Sequence, residues 1–239
     1  MAPQYGETWV YESLIGAVPG LNLSDRAALV TQFVVFEAIV LAVAGVYGLW
    51  SAVPAATAAI VVAVAGSWLM LTFSRTVRRL QPPDGYRRLL FGSSIELALS
   101  VMAFVLFVTY LFVVDPGDGG SLLAGLLGSE PPVVAVVLLL LVTWDVIYRI
   151  GACWWATVVG FWRALRYGFD AATTRELTRL DALNVLFAGV QLLLVPFVLD
   201  HPVLVAALVG HLFAVVVVAG GTVVLQRRAR TDGDGQRKR

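Results

Sequence analysis

The chain has 239 residues, 59% of them hydrophobic and only 14% charged, with a formal net charge of +1. Soluble domains carry roughly 45 to 50% apolar and about 25% charged residues, so a water-soluble globular domain is excluded. The near-neutral balance, with no basic stripe on a soluble surface, argues against a nucleic-acid partner.

The apolar residues are gathered into runs of the roughly 20 residues that a helix needs to cross a bilayer. The expected fold class is therefore all-α: a polytopic integral membrane protein with a bundle of six transmembrane helices. Residues 1–23 read as an N-terminal interfacial segment, in which Tyr5, Trp9, Val10, Leu14 and Ile15 fall near one face of a helix too short to span. Ser24 is the expected N-cap of a first spanning helix at about 26–50, with Glu37 near its centre. Three residues separate it from a second at about 54–75, which Pro54 opens. Its Ala55, Ala59, Ala63 and Ser67 recur every fourth position, a spacing that lets membrane helices approach closely and predicts a central place for it.

Pro82, Pro83 and Gly85 are expected to interrupt helix in the arginine-rich loop that follows. A third span at about 88–114 then stacks Gly92, Glu96 and Ser100 on one face. The connection DPGDGGSLLAGLLGSEPP is acidic and too short to cross. A fourth helix, about 132–166, carries Asp145 and Arg149 four residues apart, close enough to pair. Its length requires a tilt, a kink near Gly151 or a protrusion beyond the hydrocarbon.

Phe169 to Thr173 reads as a turn, and Thr173 with Glu176 has the spacing of a capping box. A fifth span at about 180–199 places Asn184, Ala188 and Gln191 on one face. A sixth at about 202–226 has a small-residue stripe of Ala206, Gly210 and Ala214. Residues 24–226 thus form the transmembrane domain, and 227–239 read as a disordered basic tail.

Sixteen of the seventeen Lys and Arg residues fall in the N-terminal segment, the second and fourth connections and the tail, and the other three connections hold none. The positive-inside rule places both termini in the cytoplasm. Glu37, Glu96 and Gln191 on the odd helices, with Arg-x-x-Arg at the ends of the even ones, also suggest three related hairpins.

The candidate site is an intramembrane polar cluster of Glu37, Glu96, Asp145, Arg149, Asn184 and Gln191, because ionised groups at mid-bilayer are too costly to face lipid. Three carboxylates against one arginine leave negative charge to be met by a proton or a cation. His211 reads as a hydrogen-bonded structural histidine, and Trp144, Trp154, Trp155 and Trp162 as interfacial anchors. HExxH, P-loop, dinucleotide and paired-histidine haem signatures are absent, so neither an enzyme nor a cofactor or metal site is expected; the single cysteine, Cys153, reads as a small buried hydrophobe.

Two functions follow as expectations. One is passage or coupling of a small cation or proton through the polar interior. The other is a non-catalytic scaffold or partner subunit whose Arg-rich cytoplasmic face binds a membrane protein or anionic lipid headgroups. With YRRLLFGSSIE and WDVIYRIGACWW in view, the chain resembles multi-pass membrane proteins of halophilic archaea that have no assigned function. That resemblance implies a cell-membrane location and no activity.

Overall fold

A computed structural model describes Trp9, residues 24–117 and residues 121–237, with side chains to Gln226. Every regular element among them is helical: α1 Asp25–Tyr47, α2 Val53–Leu80, α3 Asp84–Phe91, α4 Ile95–Thr109, α5 Leu122–Leu127, α6 Val133–Arg166, α7 Ala171–Val190 and α8 Pro202–Arg237. Six stretches are long and apolar enough to cross a membrane: Asp25–Tyr47, Trp50–Leu80, Asp84–Val114, Val133–Arg166, Ala171–Phe197 and Pro202–Gln226. The interfacial helix expected within residues 1–23 lies outside the described residues except at Trp9. The Trp9 indole is buried in an aromatic cluster, with its ring centroid 5.8 Å from Phe73 and 4.9 Å from Phe91.

At 34 residues and 1.5 Å per residue, α6 is roughly 51 Å long and unbroken through Gly151. It packs against α2, α3, α4, α7 and α8, which makes it the axis of the bundle. Gly151 marks the closest approach of α4, because a β-carbon there would collide with the Ser100 hydroxyl. The companion helix α2 runs five residues past the expected Arg75 to Leu80 and packs against α1, α6 and α7. Of its expected small-residue stripe only Ala63 and Ser67 are buried, and the tightest contact falls at Gly66. By contrast α1, α4 and α8 expose large apolar side chains such as Val30, Val105 and Phe213, as lipid-facing helices do.

Several boundaries depart from the sequence reading. The third span starts earlier, at Asp84 behind Pro83, and then breaks. Gly92 to Ser94 are not helical, and Ser94 has a left-handed φ of 54°. Gly92 is therefore the C-cap of α3 and does not stack on Glu96 and Ser100. α4 continues into a π-helical turn, Tyr110–Val114.

The α7 start is set by Asp170, whose carboxylate accepts from the Ala172 and Thr173 amides at 2.9 and 3.1 Å, in place of the expected Thr173–Glu176 box. Glu176 accepts instead from Arg79 at 2.9 Å. The far end of this span tightens into a 3-10 segment, Gln191–Phe197, which contains Pro196. A proline cannot donate the i to i−4 bond that would continue the α-helix. In α8 the expected stripe is outside the core: Ala206 and Gly210 are exposed, and Val215, Ala219 and Thr222 form the buried face. The α8 backbone is helical to Arg237, past the expected end at Gln226.

Candidate functional site

One face of α6 carries Asp145, Arg149, Cys153, Thr157, Gly160 and Arg163, at successive spacings of four, four, four, three and three. Such spacing keeps them in line down about 27 Å of helix. Each polar member meets a partner from α1, α2, α3 or α7.

In the first tier Arg149 Nη2 donates to Asp145 Oδ1 at 2.8 Å, and the Gln32 amide donates to Asp145 Oδ2 at 3.2 Å. Ser67 in turn donates to Gln32 Oε1 at 3.1 Å, and Arg149 Nη1 lies 3.0 Å from Met70 Sδ. In the second tier Asn184 Nδ2 donates to the Cys153 carbonyl at 2.9 Å and to the Thr157 hydroxyl at 2.6 Å. In the third, Arg163 donates to Asp181 at 2.7 Å and to the Tyr86 hydroxyl at 3.2 Å, with its guanidinium 5.4 Å from the Tyr86 ring centroid. Gly160 makes room for this tier, since a β-carbon there would sit 3.0 Å from Asp181 Oδ1.

Both arginines are fully buried, and each is matched by one carboxylate, which is how a charge tolerates removal from water. The cavity beside Gln32 and Asp145 is about 10 Å³, at the lower limit for one water.

Of the six expected site residues, Asp145 and Arg149 come together as a pair and Asn184 joins the same ladder one tier away. Glu37 sits on the α1/α2 seam and accepts from Thr57 at 2.8 Å. Glu96, 1% exposed, is held on the α4/α6 seam, and neither carboxylate oxygen has a hydrogen-bond partner among the described residues. Gln191 is buried at the start of the 3-10 segment, also with both amide atoms unpartnered there.

Sequence reasoning missed Gln32, Met70, Tyr86, Arg163 and Asp181. By sequence Arg163 groups with the basic residues at the end of the fourth helix and its connection, although its three- and four-residue steps from Arg149 place it on the ladder. Asp181, three residues before Asn184, shares that residue's buried face. His211 packs its ring against Trp154, 6.3 Å between centroids, with Nε2 unpartnered among the described residues where a hydrogen bond was expected. Trp144, 5.3 Å from Phe104, and Trp155, whose indole donates to the Leu89 carbonyl at 3.0 Å, hold packing positions between helices.

The arginine-rich end and the opposite end differ sharply. At the first, Arg75 pairs with Asp25, Arg87 with Asp84 and Arg79 with Glu176. Exposed Arg26, Arg88, Arg166, Arg175 and Arg179 have no ion pair among the described residues. Asp170, on the same side, is held below the usual carboxylate range by the hydroxyl of Thr173 and then by backbone amides.

At the opposite end lies a partly open cavity of about 520 Å³, lined by α1, α2, α4, α5, α6, α8 and the 3-10 segment. His201 Nδ1 lies 2.7 Å from Asp115 Oδ1 and 3.4 Å from the Tyr110 hydroxyl, while Asp115 Oδ2 accepts the Leu122 amide of α5 at 2.6 Å. His201 is thus buried with Asp115 as a clasp.

No curated protein and no solved structure matches the chain. A family described as of unknown function, DUF7530, matches residues 4–222. With nearly the whole transmembrane bundle inside that match, the chain belongs to the DUF7530 family.

Proposed function

We propose that this protein is a non-catalytic multi-pass protein of the cell membrane, with both termini cytoplasmic, that works by binding anionic lipid headgroups or a membrane partner at its arginine-rich face. The observation that carries this reading is the split between its two sets of arginines. Arg149 and Arg163 are buried with Asp145 and Asp181, and Arg149 reaches Met70 on α2 while Arg163 ties α6 to α7. Arg26, Arg88, Arg166, Arg175 and Arg179 remain exposed and make no ion pair among the described residues. Near a membrane surface each such arginine contributes about 1 kcal/mol of attraction to anionic lipid. The third tier places this face on a stiff base, because Tyr86, Arg163 and Asp181 tie α3, α6 and α7 together. The charge asymmetry of the connections supports the orientation, and the resemblance to halophilic archaeal membrane proteins supports the location.

Purified protein in nanodiscs should retain phosphatidylglycerol over phosphatidylcholine in native mass spectrometry. Arg88, Arg166, Arg175 and Arg179 all changed to Gln should abolish the preference. Equal retention by parent and variant would discard the reading.

Coupling of a proton or small cation is the second reading, favoured by Glu96 alone. Its carboxylate is removed from water with no hydrogen-bond partner among the described residues, and such a group is stabilised by a proton or a cation. Proteoliposomes should then show pH-gradient dissipation that Glu96→Gln removes, and identical traces would end this alternative.

A further inference from the structure

We propose that the cavity at the arginine-poor end is a binding site for the hydrocarbon chain of a lipid-like molecule whose head is uncharged or cationic. Its volume of about 520 Å³ falls within the range of roughly 300 to 1,000 Å³ typical of small-molecule sites. The lining is apolar apart from Tyr110, Thr143 and His211, so water inside it would lack the two to four polar partners it needs. Helices wall it on several sides, unlike the open faces of α1 and α8 that ordinary bilayer lipid covers. α5 adds Leu122, Leu126 and Leu127 to its wall.

The rim is built where a head would lie. Tyr110 lines the cavity and starts the π-helical turn, an irregularity found often at functional sites. Its hydroxyl meets His201, which meets Asp115, and Asp115 in turn anchors α5. The connections at this end carry acids, Asp115, Glu130 and Asp200 among them, and no Lys or Arg. A negatively charged head would therefore face repulsion with no Lys or Arg in these connections to offset it, whereas a hydroxyl or an ammonium would meet no such repulsion beside the Tyr110 hydroxyl, the polar group that lines the cavity at this end.

The test is photolabelling in phosphatidylcholine nanodiscs with three diazirine-bearing sixteen-carbon probes: an alcohol, an amine and a carboxylate. The alcohol and the amine should label peptides containing Leu106–Tyr110 and Val142–Ile150. Excess unlabelled hexadecanol should displace that signal, and the carboxylate should label weakly. Ala56→Trp on α2 and Ala207→Trp on α8 each place an indole in the cavity lining. Displacing about two methylenes of chain should lower labelling at subsaturating probe about tenfold. Val30→Trp, on the exposed face of α1, should leave it unchanged. Labelling that spreads evenly to the exposed faces, resists hexadecanol or survives both filling variants overturns the site. Carboxylate labelling as strong as that of the amine overturns the assignment of the head. If a filled variant does not fold, displacement by hexadecanol in the parent protein decides.

Discussion

Gly66→Ala adds a single carbon at the tightest seam of the bundle. The new β-carbon would lie 2.7 Å from both Cβ and Cγ of Arg149 and 2.9 Å from Cζ of Phe187. Carbon atoms rest about 3.5 to 4.0 Å apart, so α2 must move by roughly 1 Å from α6 and α7. Arg149 cannot yield in its place, because its guanidinium is fixed to Asp145 and the stem is buried. A shift of that size would also strain the Ser67–Gln32–Asp145 chain, since Ser67 is the next residue on α2.

Overpacking of this kind costs about 1 to 3 kcal/mol. For a chain of this length about 2 kcal/mol lowers the melting temperature by roughly 4 to 8 °C. Cys153 supplies the assay: it is the only cysteine, 2% exposed, and should react with a maleimide fluorophore only as the bundle opens on heating in detergent. Gly189→Ala is the control, because nothing lies within 4 Å of its added carbon. Replacing that helical glycine should be neutral or stabilising by up to about 1 kcal/mol. Gly66→Ala melting at or above the parent, with Gly189→Ala behaving as stated, would refute the close packing of α2 on α6.

The Asp145–Arg149 pair should be asymmetric. A carboxylate left alone can take a proton, whereas a guanidinium cannot lose one, so Asp145→Asn should cost about 3 to 5 kcal/mol and more than Arg149→Gln; the two melting temperatures in reverse order would sink the argument. Orientation can be read by thiol labelling of intact cells: a cysteine replacing Glu130 should react with an impermeant reagent from outside and one replacing Gly168 should not, with buried Cys153 giving no background. Asp170→Ala should destabilise α7 at neutral pH. Because the carboxyl is held below its unfolded value, this stabilisation is present above that value, about 3.9, and is lost as pH falls through the lower folded value. Parent and variant melting temperatures should accordingly converge in acid, and a gap that persists at pH 2 would mean the cap does not depend on charge.

Composition and hydropathy by themselves determined the helical class and the six apolar spans, because a membrane leaves the backbone few alternatives and each span is a local property of the chain. The i, i+4 spacing also determined the Asp145–Arg149 pair, since a helix fixes which of its own residues are neighbours. Partners across helices were another matter. Periodicity names a face but not what stands opposite, so Gln32 and Asp181 emerged only when α1 and α7 were docked on α6. The same limit hid the burial of Arg163, which as an isolated residue looks like any arginine at a membrane border. Small residues every fourth position were legible on α2 and α8 alike, yet only α2 turns part of its stripe inward, because α2 is enclosed by α1, α6 and α7 while α8 is left at the edge. The cavity belongs wholly to tertiary structure. It exists because a 3-10 segment and an acid-anchored short helix replace regular packing at one end of the bundle, and no local pattern encodes the space that elements distant in sequence leave between them.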